Sequence, residues 1–338
     1  MRSLATAVFA IVILALSAPA PAQALEARFS SPDRLLQWIN DYRTKPQPAA
    51  VPKAVHAMRE LGLLKSPDKA GLLIGFIAGV LGSNQPRAEK LITKMFPMPA
   101  KEQAVIITAI AYSGLPEWPM LLSKFEKRMP LRKPLIDDFI SGKAKTLDEL
   151  DIAGGAGVLD ALWGYYAATG YHGPVLRIIA ALPWSNDIRG TDKFSWAKLR
   201  AAFSDEEGQD AVRKITAGHM AKWTLTANAE RDRGLISLYK MELAYQPPEV
   251  VEPLKEVIAA AETFEAERVR TDAKAAIDKV KAKHPGDAEW TRSTYAGSVA
   301  IATGCVVASA SGFPGIAVPC VVGGALYSGA VKLWNTAR

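Results

Sequence analysis

Residues 71–82 have the sequence GLLIGFIAGVLG, an unbroken run without a charged or hydrogen-bonding side chain. The run is too short to span a bilayer as a helix, which takes about 20 residues. A helix that is apolar on every side is typical of a protein core. The sequence therefore predicts a central core helix here, and residues 104–112 (AVIITAIAY) predict a second one.

Turn and capping residues divide the surrounding chain into short helices. Ser31-Pro32-Asp33 predicts a helix start with a serine cap and a proline at the first helical position, and Thr146-Leu147-Asp148-Glu149 predicts a capping box. Apolar helices end at Gly82, Gly114 and Gly170, and each glycine is followed within a few residues by another helix. Apolar residues recur three and four positions apart, whereas strict strand-like alternation is missing. The pattern predicts an all-α fold in which residues 25–247 form a body of stacked helical hairpins, similar to an irregular α-solenoid.

One of these hairpins, residues 159–182, resembles a degenerate tetratricopeptide repeat. Leu162 is followed by Tyr166 and Gly170, and then by Val175 and Ile179 on a second helix, at about the spacing that this family uses. The resemblance implies a repeat-like helical unit. It carries over none of the family's peptide-binding residues.

The charged segment after the body predicts one long amphipathic helix over residues 248–286. Pro247-Pro248 precedes it and His284-Pro285-Gly286 ends it. Its apolar stripe slips by one position after Phe264, which argues against a regular coiled coil. We expect the helix to lie along the body.

The C-terminal segment, residues 287–338, contains no charged residue between Arg292 and Lys332. A turn at Gly312-Phe313-Pro314-Gly315 divides it into two arms, and small residues recur along both. Such a stripe allows two helix backbones to approach closely, and it predicts an apolar Gly/Ala-rich helical hairpin. The expected packing positions are Ala296, Ala300, Gly304, Ala308, Gly312, Gly324 and Ser328.

Cys305 and Cys320 lie at similar heights on the two predicted arms, so we expect a disulfide between them. Three destinations of the hairpin stay open. It docks on the body, contacts a membrane through residues 295–334, or is delivered into a target membrane as in pore-forming toxins.

The first 24 residues predict a cleavable signal peptide. Arg2 precedes an apolar stretch over residues 4–16, and Ala22-Gln23-Ala24 matches the small-x-small cleavage pattern. The predicted localisation is therefore the periplasm or the exterior, with membrane association as a further option. The formal charge is +7, but no basic block occurs, so no nucleic-acid partner is expected.

The sequence contains few chemical motifs. The chain has four histidines, and none has a second histidine at metal-ligand spacing; nucleophile-elbow and phosphate-loop motifs are missing too. We therefore expect no metal, no cofactor and no catalytic residue. Carboxylates cluster at residues 137–138 and 148–151, which leaves an envelope hydrolase as an alternative, although capping of helix starts explains them more simply.

Aromatic residues cluster around the turn of the repeat-like hairpin. Trp163 and Tyr166 fall on its buried stripe, so Tyr165, Tyr171 and His172 are expected at the surface as a candidate partner-binding group. The alternative is packing within the core and the turn. The function predicted is that of an exported, non-enzymatic helical scaffold or binding protein of a bacterial-type envelope, for an unidentified protein or envelope component. A membrane-active protein that inserts the C-terminal hairpin is the main alternative.

Overall fold

The computed structural model describes residues 29–185 and 206–282. Every regular element in these two ranges is a helix and none is a strand, which confirms the all-α prediction. The α-helices are α1 (Pro32–Asp41), α2 (Val51–Glu60), α3 (Gly71–Gly82), α4 (Ala88–Met95), α5 (Gln103–Ala111), α6 (Trp118–Phe125), α7 (Lys133–Ile140), α8 (Ala156–Thr169), α9 (Gly173–Ile179), α10 (Glu206–Arg231), α11 (Arg233–Glu242), α12 (Pro248–Glu262) and α13 (Ala266–Ala282).

Helix α3 is the core helix that its sequence predicts. All of its residues except Gly82 are buried, and its contact with α8 is the most extensive between any two helices of the described residues. Glycines make this contact possible. A Cβ built on Gly75 would lie 1.9 Å from the Ala161 carbonyl oxygen, and one built on Gly164 would lie 2.1 Å from the Leu72 carbonyl oxygen. The two backbones therefore touch directly.

The glycines that end the helices have two different roles. Gly170 caps α8 with φ 68°, and Gly114 follows α5 with φ 70°, the left-handed conformation that glycine adopts without a steric penalty. Gly82 is the last residue of α3, where the sequence predicts the helix end, but its φ is not positive and its role is close packing. A Cβ there would come within 2.3 Å of the Ser113 carbonyl oxygen, so Gly82 is needed for close packing against the end of α5.

Helices α1 to α12 share one large hydrophobic core that extends from Phe29, just before α1, to Ala261 in α12. The apolar residues of α13 belong to a second, smaller cluster with Trp223 and Ala227 of α10. The dominant contact of the large core joins α3 to α8, which are distant in sequence. Residues 71, 75 and 79 of α3 face residues 157, 161 and 165 of α8 in the same order, so the two helices run parallel. A solenoid repeat contacts only its neighbours along the chain, whereas α4, α5, α6 and α7 separate α3 from α8. The solenoid-like stacking of hairpins is therefore not supported.

The charged segment after Pro247 forms two helices, α12 and α13, so the prediction of a single helix over 248–286 is wrong. The backbone of Phe264 adopts the left-handed conformation, with φ 58°, and this ends the helix. The Glu265 N–H donates to the Ala260 carbonyl oxygen at 2.8 Å and closes the last turn of α12. The slip of the apolar stripe after Phe264 marks this break. Leu254 and Val257 of α12 are buried, and so are Val269 and Ala273 of α13. Helix α13 packs on α10 through Trp223, Ala227 and Val269.

Within residues 29–185 and 206–282, no helix is both long enough and apolar enough to cross a membrane. The predicted signal peptide (1–24), the predicted apolar hairpin (287–338) with its small-residue positions, and the Cys305–Cys320 pair lie outside the described residues.

Candidate partner surface

Tyr171 and His172 form the turn between α8 and α9, where the sequence places a partner-binding group. Both are exposed, and 66% of the Tyr171 surface is accessible. The Tyr171 N–H donates to the Thr169 Oγ1 at 3.0 Å. A Cβ on Gly173 would lie 2.5 Å from Cε1 of Tyr171, so the tyrosine ring occupies space that the absent side chain leaves open. The turn thus holds a large aromatic ring at the surface in a defined position.

A cluster of polar side chains lies on the inner side of this turn. The Tyr166 hydroxyl donates to Oδ2 of Asp232 at 2.8 Å, and Arg43 forms an ion pair with the same carboxylate. The Arg43 guanidinium also lies over the Tyr166 ring, 5.3 Å from its centroid. The His172 ring lies beside the Tyr166 ring, and the two ring centroids are 6.2 Å apart. Three distant segments of the chain therefore meet beneath the exposed turn.

The position of Asp232 follows from local helix chemistry. It is the N-cap of α11, and its Oδ1 accepts the Gly234 N–H at 3.1 Å. The other carboxylate oxygen is then available for Arg43 and Tyr166. Burial, followed by the bond to Asp232, raises the pKa of Tyr166. The tyrosine therefore stays protonated and continues to donate at any physiological pH.

Buried charge lies directly beside this cluster. Arg231 precedes Asp232, and burial lowers its pKa to about 10. Its guanidinium bonds Asn228 of the same helix. Glu230 accepts the Ala266 N–H at 2.7 Å and so joins the end of α10 to the start of α13. The ends of α8, α10 and α13 are thereby tied together by polar contacts.

Tyr165 does not belong to the exposed group. It is half-buried, and its hydroxyl donates to the Ser113 carbonyl oxygen at 3.4 Å. Burial raises its pKa. Its ring packs between α8 and the end of α5, where Gly82 and Gly114 leave room for its hydroxyl. The candidate surface therefore comprises Tyr171 and His172, and Tyr165 makes a contact within the fold.

Sequence reasoning missed Arg43 and Asp232 as parts of this surface. The two residues are 189 positions apart, and neither stands in a recognisable motif. The only local signal is the N-cap position of Asp232 at the start of a predicted helix. Nothing in the sequence indicates which cation the capping carboxylate contacts.

The acidic residues at 137–138 and 148–151, which leave a hydrolase as an alternative, all have hydrogen-bond or ion-pair partners within the fold. Asp137 pairs with Lys133 and Asp138 with Lys143, both at 3.0 Å. Glu149 completes the predicted capping box by accepting the Thr146 N–H at 2.8 Å, which lowers the pKa of the glutamate. These contacts support the capping explanation.

The described residues also form two concave regions. A cleft of about 450 Å³ beside α1 is lined by Trp38, Tyr42 and polar side chains. The buried Tyr42 hydroxyl has no hydrogen-bond partner among the described residues, and burial raises the pKa of Tyr42 to about 12. A second groove, of about 580 Å³, lies between α10 and the α12–α13 pair. Its Lys222 and Glu256 form an ion pair with each other.

No group of three or more histidine, cysteine, aspartate or glutamate side chains in the described ranges is arranged to hold a metal ion. Comparison of the chain with protein-family models, with curated proteins and with solved structures found no match.

Proposed function

We propose that this chain is an exported, non-enzymatic helical binding protein of a bacterial-type envelope, and that it presents Tyr171 and His172 to a protein or envelope partner. The observation that carries the proposal is the exposed Tyr171 ring held on a turn that the Arg43–Asp232–Tyr166 cluster supports. Tyrosine and arginine are enriched among the residues that dominate binding energy. A side chain ordered before binding loses less conformational entropy when the partner arrives.

The export part of the proposal rests on residues 1–24, with the Arg2 charge, the apolar stretch and the Ala22-Gln23-Ala24 pattern. Mass analysis of the mature protein is expected to find an N-terminus at Leu25. A mature protein that keeps Met1 would contradict export by signal cleavage.

The binding part is tested by a photo-reactive phenylalanine analogue placed at position 171 in intact cells. The matched control carries the analogue at Tyr245, which is 82% exposed and lies after α11. We expect position 171 to yield a discrete cross-linked product after irradiation and position 245 to yield none. The same product from both positions, or none from position 171, would contradict a binding role for this turn.

A membrane-active protein is the second candidate, because the sequence lacks any charged residue between Arg292 and Lys332. Only the sequence supports this second candidate. In this candidate, residues 295–334 enter the lipid and the helical body remains outside. Extraction of cell membranes with alkaline carbonate separates the two proposals. The binding protein is expected in the soluble fraction, whereas an inserted hairpin keeps the chain in the pellet.

A further inference from the structure

The turn between α12 and α13 places an aromatic residue where other helix ends of this protein use glycine. Phe264 has φ 58°, and the bond from the Glu265 N–H to the Ala260 carbonyl oxygen closes the helix around it. Gly62 after α2 and Gly142 after α7 adopt the same left-handed conformation. Glycine is preferred there because a Cβ clashes with the neighbouring carbonyl oxygen. Among the described residues, Phe264 is the only non-glycine residue with a positive φ.

Packing within the protein does not explain why phenylalanine stands at this position. The side chain of Phe264 is 64% exposed, so its ring adds little to the hydrophobic core. The residue therefore has an unfavourable backbone conformation and also exposes an aromatic ring to water. A contact with something outside the described fold would account for both features.

Arg233 holds the Phe264 ring in place. Its guanidinium carbon lies 5.0 Å from the ring centroid, and its Nη1 donates to the Ala261 carbonyl oxygen at 2.9 Å. Arg233 is exposed, and among the described residues it forms no ion pair. Its charge acts on the buried Glu230, which accepts the Ala266 N–H and does not pair with Arg233. A stacked guanidinium retains free N–H groups at its edge, where a carboxylate can accept two parallel hydrogen bonds.

Other cations near the turn are already neutralised. Arg268 pairs with Glu265 at 2.5 Å and with Asp272 at 3.2 Å, and Arg270 pairs with Glu267. Among the described residues, Arg233 is therefore the exposed cation at this turn that has no carboxylate partner.

We propose that Phe264 and Arg233 form a docking point for an acidic segment of a protein partner. An apolar side chain of the segment packs on the open face of Phe264, and a neighbouring carboxylate pairs with Arg233. This inference rests on the proposed function as a binding protein. Arg233 follows Asp232 in the chain, and Asp232 supports the Tyr171 turn through Tyr166, so both contacts lie at helix ends joined by one short segment.

The charges around the turn favour a peptide over a membrane. Glu262 and Glu267 are exposed and Glu265 is half-buried beside the same turn. These three glutamates pair with Lys240, Arg268 and Arg270, so among the described residues the turn offers a ligand one exposed cation without an ion pair, Arg233. Attachment to an anionic bilayer takes several basic residues that face the lipid together, whereas a single carboxylate of a peptide can bind one guanidinium.

The test uses the full mature chain and fluorescein-labelled decapeptides, with binding measured by fluorescence anisotropy. The probe carries one glutamate next to a central Leu-Phe pair, and its other residues are uncharged. One control peptide has lysine in place of glutamate, and another has alanine in place of the Leu-Phe pair. We expect the acidic apolar probe to bind at least tenfold more tightly than either control, and its affinity to fall as the salt concentration rises.

Variants of the protein assign the binding to the two side chains. Phe264→Gly is expected to weaken probe binding at least tenfold without loss of folding, because glycine suits the backbone conformation at this position. Arg233→Gln is expected to weaken it at least tenfold and to remove most of the salt dependence. Arg268→Gln serves as the control, because Arg268 is exposed and already paired, and it should bind the probe as the wild type does. Thermal unfolding followed by circular dichroism verifies that each variant is folded.

Equal binding of the acidic and the basic peptide, or wild-type affinity in both variants, would overturn the inference. Binding to vesicles of phosphatidylcholine and phosphatidylglycerol that depends on Phe264, without binding to the peptide, would assign the turn to lipid and also overturn it. A cross-linked product from position 171 that persists in the Phe264→Gly variant would show that the proposed function survives when this inference fails.

Discussion

Gly75 of α3 lies directly against Ala161 of α8, so closely that a Cβ on Gly75 would come within 1.9 Å of the Ala161 carbonyl oxygen. No real side-chain carbon can occupy that position, and the obstacle is a backbone atom that cannot rotate away. The distance between the two central helices of the core therefore depends on glycine at this position, as it does at Gly164, where a Cβ would lie 2.1 Å from the Leu72 carbonyl oxygen.

Replacement of Gly75 is expected to destabilise the whole fold. For Gly75→Ala we expect the free energy of unfolding to fall by about 3 kcal/mol, the upper range for overpacking a core, because α3 and α8 must move apart. Urea denaturation measures the loss. Gly142→Ala is the control, since a Cβ there would meet no atom within 4 Å. Its left-handed φ should cost about 1 kcal/mol. Equal losses in both variants would contradict the close-packing role.

The Arg43–Asp232 pair is expected to contribute measurably to stability. Asp232→Ala removes a carboxylate that serves Arg43, Tyr166 and the α11 N-terminus, and hydrogen bonds to a charged group contribute about 2 kcal/mol. A double-mutant cycle with Arg43→Met isolates the coupling between the two side chains. The exposed Lys143–Asp138 pair provides the comparison and should show less than about 1 kcal/mol. A coupling no larger than that of the exposed pair would argue against a supporting role.

Asp160 should make the stability depend on pH. It is buried in α8 beside Gly71, and burial raises its pKa well above the ordinary value. Because the unfolded state releases this proton first, the free energy of unfolding falls as the pH rises above about 4. Asp160→Asn cannot ionise, so its stability relative to the wild type should increase from pH 4 to neutral pH. A constant difference for Asp160→Asn across this range would disprove the assignment.

Phe264→Gly should stabilise the protein. A non-glycine residue in the left-handed region costs about 1 kcal/mol, and glycine at this position removes most of that cost. Thermal or urea unfolding is expected to show a gain of that size, while probe binding weakens. Phe264→Ala keeps the Cβ and loses the ring, so it should weaken binding without the gain in stability. A less stable Phe264→Gly protein would mean that the ring supports the fold itself.

The disulfide between Cys305 and Cys320 stays a prediction from the sequence. The two cysteines are placed similarly on the predicted arms of the hairpin, and a closed loop of about 15 residues is worth about 3 kcal/mol in the chain-entropy model. Alkylation of the unfolded, non-reduced mature protein should modify neither cysteine, and prior reduction should expose both. Two cysteines that are alkylated rapidly without reduction would contradict the bond.

Several features were predictable because they depend on neighbouring residues. The Ser31 cap and proline start of α1 and the capping box at Thr146 occur as the sequence indicates. The burial of α3 and α5 also follows, because an apolar helix has no other favourable place in water. The glycines at 71, 75 and 79 of α3 recur every fourth residue, a spacing that indicates close helix packing. The prediction of a core helix depends instead on the apolar residues between them.

The sequence by itself determined the all-α class, the core position of residues 71–82 and the exposed aromatic turn at Tyr171, because periodicity, capping and hydrophobicity act over a few residues. Tertiary structure alone decided that α8 is the parallel neighbour of α3, that Asp232 meets Arg43, and that the helix after Pro247 breaks at Phe264. These outcomes depend on which backbones can approach and which buried charges find partners. Both are properties of the packed chain as a whole.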